Sequence, residues 1–406
     1  MKKAILVIMD GLPDRPNVNF DRKTPLEVAK TPNLDKFTQM GISGVMDTID
    51  IGVCPGSDTA HLALFGYDPY SYYTGRGPFE AAGIDMDLEA GDIAFRTNIG
   101  TVDEDLKIID RRAGRIDDCT ELLKDLNGTV IDGVKILIKA GLQHRAALVL
   151  RGENLSPKVS DGDLHTEGIK PEEIKPTDNT TEAEFTANVL NKFLPIAHKH
   201  LKDHPYNIER KKNNLLPGNY LLVRGAGMVP KIPTFRDKYG LKSVCIAGAG
   251  LYKGIAKIVG MDTPNIENAT GKADTDLIAK IDAIKERYDD YDFFFLHIKA
   301  TDNFGHDGDF EGKTKFIEKI DKALGKLFDL KDAIIIFTSD HSTPCSLKAH
   351  SADNVPVTIF ADDVRDDDVE AFTEKDCAEG RLGHIKGMNL MPIIIDLMGI
   401  SEIFGA

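Results

Sequence analysis

Tryptophan is absent from this 406-residue sequence, and cysteine is scarce: Cys54, Cys119, Cys245, Cys345 and Cys377 are widely scattered, with no CxxC pair. The missing tryptophan carries no functional message. An odd number of dispersed cysteines argues against a disulfide framework and suits reduced thiols in a cytoplasm. Excess positive charge is also missing. A net charge of −15 argues against a nucleic-acid surface. It still allows an anionic substrate, because a metal or a group of arginines can override the balance locally. Long apolar runs are missing too. Met1-Lys2-Lys3 begins like a signal peptide, but only Ala4–Met9 follow before Asp10, too few for its apolar segment. The late run Leu390–Ile400 is broken by Pro392 and Asp396, so nothing reaches membrane-spanning length.

What is present describes a globular enzyme-sized chain, 42% hydrophobic and 28% charged, with room for about two or three domains. The centre of the pattern is Ala333–Phe337, an apolar β-branched run of the kind buried on both faces of a sheet. It stops at Asp340-His341, and Pro344 closes the turn. Ala4–Met9 is a similar strand ending in Asp10-Gly11. Tyr220–Val223, Val244–Ala247, Phe293–Ile298 and Val357–Phe360 are further strand candidates. Helical spacing appears over Thr275–Arg287, Lys313–Phe328 and Asn389–Met398. Thr31-Pro32 reads as a helix start with Gly41 as its stop, and Ser57 as the N-cap of a helix running to about Phe65. Strand–helix alternation predicts an α/β fold, a mostly parallel sheet flanked by helices. The character changes after Gly75-Arg76-Gly77-Pro78. Between there and Asn213–Gly218 lie most of the clustered arginines and a long amphipathic helix, Glu182–His204, with Phe185, Val189, Phe193 and Ile196 on its apolar face and Pro195 able to kink it. This block reads as an inserted smaller α+β domain. The expected division is a core of residues 1–78 and 216–406 and an insert of residues 79–215.

Ligands of open α/β sheets gather at the carboxyl ends of the strands. Four pieces converge there if the sheet is as drawn: Asp10, Ser57 at a helix start, Asp302 with His306 after Phe293–Ile298, and Asp340-His341 with His350 beyond. Each alone is an ordinary cap, turn or loop residue. Together, three aspartates, three histidines and a serine suffice for two divalent ions with open positions. Oxygen and imidazole donors without thiolate point to Mn2+, Mg2+, Co2+ or Zn2+. Two such ions about 4 Å apart suit phosphoryl transfer. Metal coordination can activate a serine hydroxyl, and a helix start offers N–H donors to the transferred group. The residues by themselves thus lead to a metal-dependent phosphoryl-transfer enzyme with a serine nucleophile. Gly248-Ala-Gly250 and Gly312-Lys313-Thr314 mimic nucleotide-binding loops, but their glycines are misplaced for either motif.

Ile-Met-Asp10-Gly, Pro-Gly-Ser57-Asp-Thr-Ala-His-Leu, Asp302-Asn-Phe-Gly-His306, Ser-Asp340-His341-Ser-Thr-Pro and Ala-His350-Ser resemble the alkaline phosphatase superfamily. More narrowly, the sequence is similar to the archaeal-type cofactor-independent phosphoglycerate mutases. Thr-Pro-Asn33-Leu-Asp35, Tyr73-Thr-Gly-Arg-Gly-Pro-Phe-Glu and Ser156–His165 fit that branch, and the resemblance runs over nearly the whole chain. It implies an alkaline-phosphatase-like core and a ligand split: Asp10, Ser57, Asp340 and His341 for one metal, and Asp302, His306 and His350 for the other. Ser57 would be the phosphorylated intermediate.

A mutase of this kind interconverts 3-phosphoglycerate and 2-phosphoglycerate without 2,3-bisphosphoglycerate, and its insert would close as a lid to exclude water. Arginine forks suit the carboxylate and phosphate of such a substrate. Arg111, Arg112, Arg115, Arg145 and Arg151 in the insert, and Arg224, are the candidates. The resemblance adds Lys253 near the phosphoryl site. Asp161, Asp163 and His165 could supply acid–base help. A phosphomonoesterase or phosphopentomutase on the same core, and a metal-binding sensor without turnover, are the alternatives. The expected partner is a small molecule, with neither nucleic acid nor membrane, in a cytoplasmic protein whose oligomeric state is left open.

Overall fold

In the computed structural model, which describes residues 2–403 and 405, strands that are apolar on both faces decide where the polar residues go. The chain divides into two compact units, Met1–Tyr72 with Pro233–Ala406, and Tyr73–Ile232.

Strands β1 (Lys3–Met9) and β2 (Gly41–Asp47) belong to the first unit, β3 (Ile93–Val102), β4 (Ile108–Asp110), β5 (Thr129–Ile131), β6 (Val134–Ala140), β7 (Arg145–Arg151) and β8 (Tyr220–Met228) to the second, and β9 (Ser243–Ile246), β10 (Phe293–Ile298), β11 (Ala333–Thr338), β12 (Val355–Phe360) and β13 (Gly383–Lys386) again to the first. The first unit's sheet has the order β13-β2-β12-β11-β1-β10-β9. It is mainly parallel at its centre: β1 pairs in parallel with β10 and β11, and β10 with β9. β12 alone runs against its neighbours β11 and β2.

Side chains alternate across this sheet. Ile5, Val7 and Met9 pack with Phe37, Ile281 and Ile320 from the helices Pro32–Gln39, Leu277–Glu286 and Phe310–Leu324. On the other face Phe295 meets Phe65, with ring centroids 4.9 Å apart. The register sets Met9 beside Ile298 and Ile8 beside Thr338. Three strands therefore end level, and the polar residues after each one emerge together.

In the second unit the strands are antiparallel, and the helix Thr181–Lys202 buries Val189, Phe193, Ala197 and Leu201 in their core. Three expectations change here. Ile196 is exposed, because the buried stripe keeps an i, i+4 spacing and passes to Ala197. Pro195 stays inside one continuous helix. The segment from Tyr220 is a strand, but it pairs with β3 in this second sheet rather than resuming the first. That pairing carries the unit past residue 215 to Ile232. Among the described residues no helix is long and apolar enough to cross a membrane.

Behind Asp10 the fold buries a full charge pair. Lys313 Nζ donates to Asp14 Oδ2 and to the Thr343 carbonyl, both at 3.0 Å. Glu374 accepts hydrogen bonds from the Asp14 N–H at 3.1 Å and the Thr24 hydroxyl at 2.9 Å. Burial pushes the Glu374 carboxyl up from 4.5 to about 7. Folding therefore takes up a proton between these values. The native state loses stability as pH rises through that window, and above it the penalty is constant because both states are ionised. Glu374→Gln should remove this loss. In urea titrations at pH 5 and pH 8 the parent should lose on the order of 1 kcal/mol more than the variant, a figure discounted for the side chain's partial exposure. Equal losses would show that Glu374 titrates normally.

Candidate functional site

Asp10, Lys299 and Ser339 follow directly on the level ends of β1, β10 and β11. Asp10 is fully buried. Its Oδ2 accepts from His297 Nε2 at 3.0 Å, and Lys299 Nζ lies 3.1 Å from Oδ1. Burial works to raise the Asp10 carboxyl, but Lys299 and His297 outweigh it and hold the group well below the usual carboxylate range. Asp340 Oδ1 accepts the Gly11 and His341 N–H groups, each at 3.1 Å. Its Oδ2 is buried with no hydrogen-bond partner. Burial, then the nearby Asp10 charge, push Asp340 well above the usual range. A carboxylate oxygen stripped of water and left unpaired calls for a cation.

Ser57 is the first residue of the helix Ser57–Leu64, and Gly56, in extended conformation, is the N-cap. The expected capping role for Ser57 is thus taken by Gly56. The Ser57 hydroxyl is 3.2 Å from His341 Nε2. Four residues on, His61 Nδ1 bonds the Ser57 carbonyl at 2.6 Å, while its Nε2 is buried without a partner. Burial lowers His61 to about 4 and keeps it neutral.

Asp302 and His306 lie one turn apart on the helix Ala300–Asp307. His306 Nδ1 bonds the Lys348 carbonyl at 3.0 Å, and His350 Nδ1 bonds the Pro55 carbonyl at 2.9 Å. A carbonyl only accepts, so both Nδ1 atoms carry hydrogen. In the neutral rings each Nε2 then presents a lone pair, and these face Asp302 Oδ1 at 3.4 and 3.6 Å. Thr343 joins the two sets. Its Oγ1 donates to Asp302 Oδ1 at 2.7 Å and contacts His341 Nδ1 at 3.0 Å. With its proton committed to Asp302, the hydroxyl accepts from His341 Nδ1–H and frees His341 Nε2, which faces Asp340 Oδ2 at 3.3 Å. Burial depresses His341 well below its ordinary value, so protonation does not supply the missing cation. Asp10, Asp340 and His341 form one group with donor atoms within 4.8 Å of one another, and Asp302, His306 and His350 form another. The rings of His341 and His350 stack at 3.6 Å between them. Acceptors facing acceptors at these separations fit divalent cations.

Lys299, His297, His61 and Thr343 were not assigned from sequence. The first three had a faint signal. His297 is the one polar residue in the run Phe-Phe-Phe-Leu-His-Ile, Lys299 stands three residues before Asp302, and His61 four after Ser57. Lys299 Nζ also reaches Asp302 Oδ2 at 2.6 Å, so the ammonium at this edge is Lys299. Lys253 lies half-buried on the neighbouring helix Gly250–Ile258, whose Tyr252 stacks on His297 at 3.5 Å.

In the second unit, Arg111 forks onto Asp163 at 2.9 and 2.6 Å. Arg224 Nη1 meets His165 Nε2 at 2.6 Å, and Asp161 accepts the Gly225 N–H at 2.7 Å. Arg96, also unassigned from sequence, lies opposite Arg224 across β3 and β8. Burial lowers Arg96 to about 10 even beside Glu80. Like charges placed opposite each other favour an anion between them. Arg112 and Arg115 are exposed on the turn after β4. Arg151 does not join the group. It is tied to Asp92 and Glu89 beside the start of β3, about 13 Å along the strand from Arg96 at roughly 3.3 Å per strand residue.

Fold and donor set together describe a metal-dependent α/β enzyme, and residues 2–397 match the metalloenzyme superfamily. Relatives are similar over their full length. The 2,3-bisphosphoglycerate-independent phosphoglycerate mutase 1 of Methanocaldococcus jannaschii is 51% identical, covering 100% of this chain and 99% of its own. The mutase of Methanosphaera stadtmanae is 50% identical, with 100% of both chains covered. Among solved structures, a Pyrococcus horikoshii protein superposes with a TM-score of 0.87 at 37% identity, covering 100% of this chain and 99% of its own. The cofactor-independent phosphoglycerate mutase of Thermoplasma acidophilum gives 0.75 at 39% identity, covering 98% and 100%. The chain belongs to the 2,3-bisphosphoglycerate-independent phosphoglycerate mutase family of that superfamily.

Because Thr343 orients a donor of each group, Thr343→Val should weaken Mn2+ binding by about 10- to 100-fold in calorimetric titration, with Thr343→Ser close to the parent. Unchanged affinity in the valine variant would remove Thr343 from the support of the site.

Proposed function

We propose that the chain interconverts 3-phosphoglycerate and 2-phosphoglycerate through a phosphoserine at Ser57, with no bisphosphoglycerate cofactor. The observation that carries this is the Ser57 hydroxyl held 3.2 Å from His341 Nε2, beside carboxylates whose neighbouring imidazoles turn lone pairs toward them. Asp10, Ser57, Asp340 and His341 would hold one divalent ion, and Asp302, His306 and His350 the other. Such ions, Mn2+ first for this oxygen and imidazole set, supply Lewis acidity and lower the pKa of a coordinated hydroxyl.

The chain's own residues do the rest. Ser57 Oγ attacks phosphorus, the bond from phosphorus to the C3 oxygen breaks, and the serine proton ends on that oxygen. The C2 hydroxyl of glycerate then attacks the phosphoserine, and Ser57 recovers a proton. Bonds formed and broken balance, so the result is an isomerisation. The start of the Ser57–Leu64 helix offers N–H donors to the transferred group. Lys299, whose charge is held by Asp10 and Asp302 against the cost of burial, offsets the phosphoryl oxygens. Arg111 and Arg224, braced by Asp163, are the proposed partners for the substrate's anionic groups. Arg112, Arg115, Asp161 and Lys253 remain weaker candidates for that role.

Ser57→Ala should lower turnover by at least about a thousandfold while leaving the thermal melt unchanged. Substantial retained activity would falsify the nucleophile assignment. With 3-phosphoglycerate and Mn2+ but no bisphosphoglycerate, the parent should form 2-phosphoglycerate, and chelation should stop it. Release of free phosphate as the main product would instead make the protein a phosphomonoesterase.

A further inference from the structure

A third group of metal-binding side chains lies in the second unit, apart from the residues discussed so far. Asp125, His200 and His204 offer one donor atom each, all within 4.8 Å of one another. His200 is in the last turn of the helix Thr181–Lys202, and His204 is the N-cap of the next helix, Pro205–Lys212. Asp125 is on the short turn Lys124–Leu126. Leu126 and Leu201, the residues following Asp125 and His200, are both buried in the same core, which fixes both backbones. The imidazoles of His200 and His204 meet edge to face at 5.5 Å, and His200 Nε2 lies 4.0 Å from Asp125 Oδ2.

The independent sign of a ligand is His200 Nε2 itself. That atom is shielded from solvent although the His200 side chain is 32% exposed, it faces the carboxylate, and it has no hydrogen-bond partner. At 4.0 Å it is too far from Asp125 for a hydrogen bond. A tetrahedral ion with about 2.0–2.1 Å bonds needs its donors roughly 3.4 Å apart. Rotation of the exposed Asp125 side chain can close most of that difference. His204 Nδ1 accepts the Tyr206 N–H at 3.2 Å, so an ion taking either ring nitrogen displaces this long capping contact.

We propose that Asp125, His200 and His204 bind a divalent cation of the Zn2+ type through two imidazoles and one carboxylate, with an open position left to water. The ion ties the Lys124–Leu126 turn to the junction of two helices. Two imidazoles and a carboxylate form a donor set suited to Zn2+, whereas ions that prefer oxygen alone have little reason to settle there.

The test compares the full chain with His200→Ala/His204→Ala and with Asp125→Asn, by equilibrium dialysis at low-micromolar free Zn2+ with the metal counted by atomic emission. The parent should hold one more Zn2+ per chain than the double variant. Asp125→Asn should bind that ion about tenfold or more weakly. The difference between parent and variant is the readout, so the result does not depend on how many ions the Ser57 site takes. Equal Zn2+ contents overturn the proposal, and full affinity in Asp125→Asn overturns the part given to the carboxylate. Metal-free thermal melts identify a variant that does not fold. In that case His200→Gln replaces the double variant and should lose the same ion. Mutase activity with Mn2+ should stay within about twofold in all variants, because none of these residues belongs to the Ser57 site.

Discussion

Three imidazoles of the first unit are each fixed by a hydrogen bond at Nδ1 and turned so that Nε2 faces a carboxylate. Such an arrangement is repulsive without positive charge between the partners. Lys299 supplies one charge, bridging Asp10 and Asp302, yet Asp340 Oδ2 remains buried and unpaired. The proposed metal ions would complete what the side chains leave open, and the surrounding fold serves to hold like-charged and lone-pair groups closer than they would otherwise approach.

Close approach has a backbone requirement. Gly11, directly after Asp10, has φ +60, and a Cβ there would sit 2.5 Å from Thr343 Oγ1 and 2.8 Å from Asp302 Cβ. At Gly305, just before His306, a Cβ would fall inside the contact radius of the Thr343 carbonyl. The segments that carry Asp10 and His306 can therefore close on the Asp340–Thr343 loop only with glycine at both places. Strands β1, β10 and β11, buried on both faces, provide the rigid support, and the buried Lys313–Asp14 pair braces the loops behind them. Removing one partner of such a pair leaves a bare charge in a dry interior, so the brace is specific as well as stabilising.

The second unit solves an opposite electrostatic problem. Arg96 and Arg224 face each other across neighbouring strands, tempered by Glu80 and Asp163. This gathers positive charge locally in a chain whose total is −15. Asp163 accepts the Arg111 fork while it is buried, which aims the guanidinium and limits its rotamers. Such pre-arrangement lowers the ordering cost of binding an anion.

Apolar runs and their abrupt stops made much of the first unit legible from residues alone. Phe293–Ile298 and Ala333–Phe337 could hardly be anything but buried strands, and acid–imidazole pairs at their ends marked the edge where chemistry would gather. The Tyr220 strand was legible as a strand, but its partner was not, because the choice of sheet depends on register with β3 and not on local pattern. Arg151 stood beside the Arg111–Arg115 cluster among the candidate arginines, and only strand direction put Arg151 and Arg111 at opposite ends of β3. Sequence by itself determined which residue types could bind metal and which segments would carry them, since these follow from side-chain chemistry and periodicity. Tertiary structure decided that Lys299, His297 and Thr343 join them, because a hydrogen bond between residues tens or hundreds of positions apart is fixed by packing and register, which no local spacing encodes.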